Sequence, residues 1–198
     1  MRHLILFLRR PQLGRGKRRL AREIGDVAAL RFERLMVALL LRRLARDRRW
    51  HLRIAATPDR GARSQRGWPS RVPVFGQGRG DLGRRMQRAL AACPPGPAVL
   101  VGTDLPQLEA RHVAAAFGLL GSHDFAFGPA LDGGFWLIGA RHPPRSPALF
   151  KRVRWSGRHT LADTLASLPK KSTTGFAVSL TDVDDRTAWL RLAPRRGF

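Results

Sequence analysis

Cysteine occurs once in the 198 residues, at Cys93, which excludes an intrachain disulfide and a four-cysteine metal centre and fits a reducing cytoplasm. Tyrosine and asparagine are absent, and isoleucine appears four times. Lysine is confined to Lys17, Lys151, Lys170 and Lys171, so all but these four of the 37 basic residues are arginine. The scarce residues are those with AT-rich codons, and a GC-rich coding sequence enriches Arg, Ala, Gly and Pro without selection for any polyanion. Acidic residues number only 14, leaving a formal charge of +23. That balance would ordinarily point to nucleic acid, but part of it is compositional, and no nucleic-acid-reading motif accompanies it. Nor is there a long apolar run. Leu4 to Leu8 is too short for a signal-peptide core, and Leu35 to Leu41 cannot span a bilayer that needs ~20 residues, so a cytoplasmic chain without membrane insertion is expected.

What is present is an ordinary apolar fraction of 43%, enough to fold, in a length that suits a single domain over residues 1–198. Leu4 to Leu8 reads as a buried strand and Arg9 to Arg19 as a loop. From Leu20 to about Arg46 the apolar positions Leu30, Phe32, Leu35, Met36, Leu39, Leu40 and Leu44 recur at helical spacing. His51 to Thr57 reads as a second strand, and Pro58 to Pro73, rich in Arg, Gly, Ser and Pro, as a mobile loop. A short extended piece at Val74 and Phe75 precedes a helix over Leu82 to Ala92. Ala98 to Val101 is a buried strand that ends at Gly102-Thr103-Asp104. A helix over Glu109 to Leu120, strands over Asp124 to Phe127 and Phe135 to Ile138, a helix over His159 to Leu168 and a final strand over Phe176 to Leu180 complete the order. Strands alternating with helices predict an α/β fold with a mostly parallel sheet covered on both faces. Ligands in such sheets collect at the carboxyl ends of the strands.

Several short motifs fall at those ends, and each has a plain structural reading beside the functional one. Gly16-Lys17 resembles the close of a P-loop, but Pro11 stands where the first glycine belongs and Arg18 where a metal-binding Ser or Thr belongs, so that reading fails. The same segment, with Lys17, Arg18 and Arg19, could present amides and cations to a phosphate, or be a solvated basic loop. Gly78-Arg79-Gly80-Asp81-Leu82-Gly83 matches GxGxxG, yet Asp81 would oppose a phosphate, and a tight turn with Asp81 at the start of the next helix is the better account. In Gly102-Thr103-Asp104-Leu105-Pro106 a carboxylate is fixed at a strand end, suited to Mg²⁺ or Mn²⁺ beside phosphates, although these five residues alone favour an Asx turn or helix cap. Asp132-Gly133-Gly134 allows close approach of a ligand to the backbone, or makes a hairpin turn. Asp182 and Asp184 could share a cation if extended; otherwise Asp184 or Asp185 caps a helix running to Leu192.

Taken together, the ordered set Pro11-x-x-Gly14-x-x-Lys17-x-Arg19-Leu20, Gly78-x-Gly80-Asp81-Leu82-Gly83-x-Arg85-Met86, Gly102 to Pro106, Gly128-Pro129-Ala130-x-Asp132-Gly133-Gly134-Phe135-Trp136-Leu137-Ile138-Gly139 and Asp182-Val183-Asp184 resembles a family of small bacterial GT-A-type glycosyltransferases. That family is associated with radical-SAM gene clusters and arsenosugar biosynthesis and is related to phospholactate guanylyltransferases and other small nucleotidyltransferases. The resemblance spans nearly the whole chain and implies a nucleotide-diphospho-sugar transferase fold. It further implies that Lys17 and Arg19 contact donor phosphates, that Asp104 binds a divalent metal, Mg²⁺ or Mn²⁺, with Asp182 and Asp184 completing its shell or facing the acceptor, and that Asp132, Gly133 and Gly134 line the acceptor side; on chemical grounds Arg18 is expected to add positive charge at the phosphates, and Asp132 to be the catalytic group that orients the acceptor or acts as base. Two positions depart from the family pattern: Arg18 replaces a threonine, and Phe135-Trp136 replaces a pair of tyrosines. The expected activity is transfer of a sugar from a nucleoside diphosphate to a small-molecule acceptor. Nucleotidyl transfer from a nucleoside triphosphate to a phosphorylated acceptor is the first alternative. The second, from another class, is a non-catalytic nucleic-acid-binding domain built on Arg42, Arg43, Arg46, Arg48 and Arg49.

Overall fold

The computed structural model describes residues 1–60, 68–143 and 149–181. Part of the Pro58 to Pro73 segment and both Asp182 and Asp184, with the helix expected beyond them, lie outside the described residues. The strands are β1 (His3–Arg9), β2 (His51–Thr57), β3 (Val74–Gly76), β4 (Ala98–Val101), β5 (Phe125–Pro129), β6 (Phe135–Ala140) and β7 (Thr174–Phe176). They form one sheet in the order β3-β2-β1-β4-β6-β5-β7. Only β6 runs against its neighbours, β4 and β5, so the carboxyl ends of the other six strands share one edge.

The central strands carry apolar residues on both faces because both are covered, as a mostly parallel sheet requires. Along β1, Leu4, Leu6 and Leu8 enter one core and Ile5 the other. On the first face lie α2 (Asp26–Leu44), through Val37, Leu40, Leu41 and Leu44, and α4 (Ala110–Leu119), through Val113, Ala116 and Phe117. On the second lie α3 (Leu82–Ala91), through Met86, Ala89 and Leu90, and α5 (Thr160–Ala166), through Leu161 and Leu165. Leu40 is fully buried, and truncating it to alanine should cost ~2–5 kcal/mol.

The expected helix from Leu20 to Arg46 is two helices, α1 (Arg18–Ile24) and α2. The break falls at Gly25, whose φ of 87° places it in the left-handed region and whose N–H bonds to Ala21 O, closing α1. Asp26 then starts α2, where its charge suits the helix dipole. The final strand is also displaced. β7 covers Thr174–Phe176, and only Leu180 makes a further bridge, to Ala130. The Gly78 to Gly83 segment is the tight turn that its composition predicts: Gly78 and Gly80 have φ of 74° and 114°, and Asp81 caps α3 by accepting from Arg84 N at 2.8 Å.

Candidate functional site

At the carboxyl edge of the sheet, the loop after β1 and the end of β4 enclose a cleft of about 610 Å³. Its walls include Arg9, Arg15, Gly16, Lys17, Arg18 and Glu33 on one side and Gly102, Thr103 and Asp104 on the other. Pro11 is buried, and the chain then turns at Gly14, with φ of 69°, and passes over α2 at Gly16. A side chain at Gly16 would collide with the Glu33 carboxylate. Lys17 follows in a left-handed conformation, φ 30°, at the start of α1. Such a conformation costs a non-glycine residue of order 1 kcal/mol and persists only where the surroundings hold it.

What holds Lys17 is charge and packing. Its side chain is only 5% exposed, its ammonium lies 3.1 Å from Asp104 Oδ2, and it sits 5.8 Å from the centre of the Phe32 ring. Asp104 is 45% exposed and faces the cleft. The loop that carries it is fixed from α2, where Arg43 donates to Pro106 O at 2.7 Å and to Leu108 O at 2.8 Å. Gln107 donates to Thr181 O at 2.6 Å, so the last described residue before Asp182 is tied to the same loop.

Glu33 and Arg9 are cleft residues that motif reading misses. Burial, with the Asp104 carboxylate adding to it, pushes the Glu33 carboxyl up to about 7, against the pull of Lys17 and Arg9. The available signal was helical spacing: Val37, also on the cleft wall, lies four residues after Glu33 and so shares its face of α2.

The remaining expected site residues are placed differently. Arg18 borders the cleft, donating to Gly14 O at 3.1 Å, but belongs to α1 rather than to the loop. Arg19 is exposed, lies on α1 as well, and is not among the cleft-lining residues. Asp132 lies at the same sheet edge, in the turn between β5 and β6, and likewise does not line this cleft. Its Oδ1 accepts from Gly134 N at 2.9 Å, and Ala130 and Gly134 close the hairpin. The close approach that Gly133 permits is to protein: at φ 84°, a Cβ there would strike the backbone of Arg158, and Gly133 O accepts from Leu161 N at 2.9 Å. Trp136 anchors the hairpin by donating to Val178 O at 3.0 Å.

The arginines of the nucleic-acid alternative do not form a uniform contact face. Arg43 is committed to the Asp104 loop, and Arg49 pairs with Asp47 at 2.6 Å. No described helix is long and apolar enough to cross a membrane.

A crystal structure from Desulfovibrio desulfuricans G20, provisionally named a nucleotide-diphospho-sugar transferase, is similar with 26% identity and a TM-score of 0.88, over 100% of this chain and 89% of that one. The 4-diphosphocytidyl-2C-methyl-D-erythritol synthase of Anaerococcus prevotii DSM 20548 shares the fold at 7% identity, with a TM-score of 0.64 over 96% of this chain and 95% of that one. So does the Mycobacterium tuberculosis H37Rv protein Rv0371c, solved with manganese, at 16% identity and a TM-score of 0.51 over 98% of each chain. Among curated proteins none matches. The architecture is therefore the α/β nucleotide-diphospho-sugar transferase type, with a mostly parallel sheet and helices on both faces. Residues 40–157 match the model of DUF2064, described as an uncharacterized protein conserved in bacteria, and the chain belongs to that family.

Proposed function

We propose that the chain is a single-domain, metal-dependent transferase that takes a nucleoside-diphosphate sugar as donor and a small molecule as acceptor. The observation that carries this reading is the Lys17–Asp104 pair, which sets a buried ammonium beside an accessible carboxylate in a cation-rich cleft at the sheet's carboxyl edge. Breaking the bond between the sugar and the diphosphate leaves charge on the β-phosphate, which Lys17, with Arg18 and Arg9 at the cleft wall, is placed to balance. In the free protein Lys17 pairs with Asp104; on donor binding it would turn to phosphate and leave the carboxylate to a cation.

The donor set fits Mg²⁺ or Mn²⁺ in kind, since Asp104 and the nearby Glu33 offer only oxygen. No group of three metal-binding side chains occurs among the described residues. Asp104 would hold the ion together with donor phosphates, and Asp182 and Asp184 are the further ligands we assign to it. When bound, the ion would supply charge neutralisation at the phosphates. We assign Asp132 to accept the acceptor's proton, from the neighbouring β5–β6 turn with Gly133 and Gly134. The resemblance to arsenosugar-associated glycosyltransferases supports this reading.

A second reading, nucleotidyl transfer of the guanylyltransferase kind, is favoured by the number of cations. Arg9, Arg15, Lys17 and Arg18 together match a triphosphate as well as a diphosphate. Measuring thermal stability against nucleotide sugars and nucleoside triphosphates, with and without Mn²⁺, separates the two. Mn²⁺-dependent stabilisation by a nucleotide sugar supports the first, Mn²⁺-dependent stabilisation by a triphosphate alone the second, and neither contradicts both.

A further inference from the structure

A second and larger groove, of about 720 Å³, runs along α3 on the sheet face opposite α2. Four cations line it: Arg84 and Arg88 from α3, and Lys151 and Arg152 from the segment packed beside that helix. One acid reaches it, Asp81, whose Oδ1 is engaged by Arg84 N as the helix cap. Among the described residues none of the four cations makes an ion pair. Like charges brought together at one groove repel, and the arrangement gains stability when a multiply charged anion enters.

The groove is also rigidly built. Arg88 is held over the Gly78–Gly80 turn, donating through Nη1 to Gln77 O and through Nη2 to Arg79 O at 3.1 Å. Across from it, Phe150 and Arg152 have φ of 62° and 57°, in the left-handed region, with Lys151 between them. Phe150 is buried against Gly83, and its N–H donates to Ser167 Oγ at 3.1 Å. Two non-glycine residues held in this region within three positions are the kind of retained strain that accompanies ligand clamps.

We propose that this groove is a separate binding site for a small anion carrying several phosphates. A single-stranded nucleic acid fits less well, because such strands bind on exposed aromatic faces, and the one aromatic lining the groove, Phe150, is buried. The groove shares no lining residue with the transferase cleft.

The test is calorimetric titration of the full chain with tripolyphosphate in EDTA, so that no metal-dependent binding contributes. The parent is compared with Arg84→Ala with Arg152→Ala, with Lys17→Ala, and with a charge-matched control, Arg46→Ala with Arg48→Ala. The groove variant should weaken binding at least tenfold, and the other two less than twofold. Arg84→Gln with Arg152→Gln, which keeps side-chain bulk, should lose the same affinity, separating charge from packing. Equal losses in the groove variant and the charge-matched control, or loss in Lys17→Ala alone, would overturn the proposal. Tight binding of a 20-nucleotide RNA with no binding of tripolyphosphate would overturn it in favour of nucleic acid.

Discussion

Lys17 Nζ lies 3.1 Å from Asp104 Oδ2, joining the loop after β1 to the end of β4. Because Asp104 is half open to solvent, the pair should contribute little to stability, and its importance should lie in binding. A double-mutant cycle of Lys17→Met and Asp104→Asn, read by urea unfolding, should give a coupling of about 0.5–1 kcal/mol. Nucleotide affinity should fall at least tenfold in each single variant.

Two glycines in the expected site should respond oppositely to alanine. Gly133 has φ of 84°, and a Cβ there meets the Arg158 backbone, so Gly133→Ala should destabilise by about 2 kcal/mol or more. A Cβ at Gly102 meets nothing, although the residue lines the cleft, so Gly102→Ala should unfold within about 0.5 kcal/mol of the parent. It should nevertheless bind donor more weakly, since the added methyl enters the cleft. Denaturant midpoints and titration calorimetry check both halves.

Arg43 donates two hydrogen bonds to the carbonyls after Asp104, so it is a positioning residue for that carboxylate. Arg43→Ala should cost ~1.5–3 kcal/mol of stability and lower donor affinity. Arg42→Ala, one position away on the same helix and exposed, should change neither. Equal behaviour of the two variants would remove the assignment.

His3 is buried at the start of β1, with the Pro95 carbonyl beside it. Burial foremost, then the charge of Arg53, lowers its pKa below the usual 6.5. The unfolded chain takes up a proton near pH 6.5 and the folded chain only at lower pH. Stability from this group is therefore fully present above pH 6.5 and declines as pH falls below it, levelling once the folded pKa is passed. His3→Phe should flatten that part of the curve in thermal melts between pH 5 and 8. An unchanged slope would show that His3 does not titrate in this way.

Most of the fold was legible because it follows from local periodicity. β2 and β4 fall on the residues where their apolar runs stop, and Asp81 caps α3 as its place after Gly80 predicts. Gly25 was missed because the apolar spacing of α1 and α2 stays in phase across it, and only the left-handed backbone there breaks the helix. In the site, Asp104 and Lys17 were legible as residues at or just after strand ends, but only the family resemblance gave them a functional reading. Glu33 was not, because its significance comes from Gly16 lying on its carboxylate, a contact made by folding. Gly133 shows the reverse case: a glycine suited to a ligand's approach serves instead the approach of Arg158.

The central claim is that Asp104 makes nucleotide binding depend on a divalent metal. The check is to melt Asp104→Asn and its parent, both carrying Arg84→Gln and Arg152→Gln so that the α3 groove contributes little, with a panel of nucleotide sugars and nucleoside triphosphates, with Mn²⁺ and with EDTA. A ligand at ~100 times its Kd stabilises by ~2.7 kcal/mol, which for a chain of this length is a rise of about 5–10 °C. That rise is expected for the parent with Mn²⁺ only, and none for Asp104→Asn, whose melting temperature without ligand stays within about 3 °C of the parent's. An equal rise in Asp104→Asn, or one in the parent that survives EDTA, would contradict it.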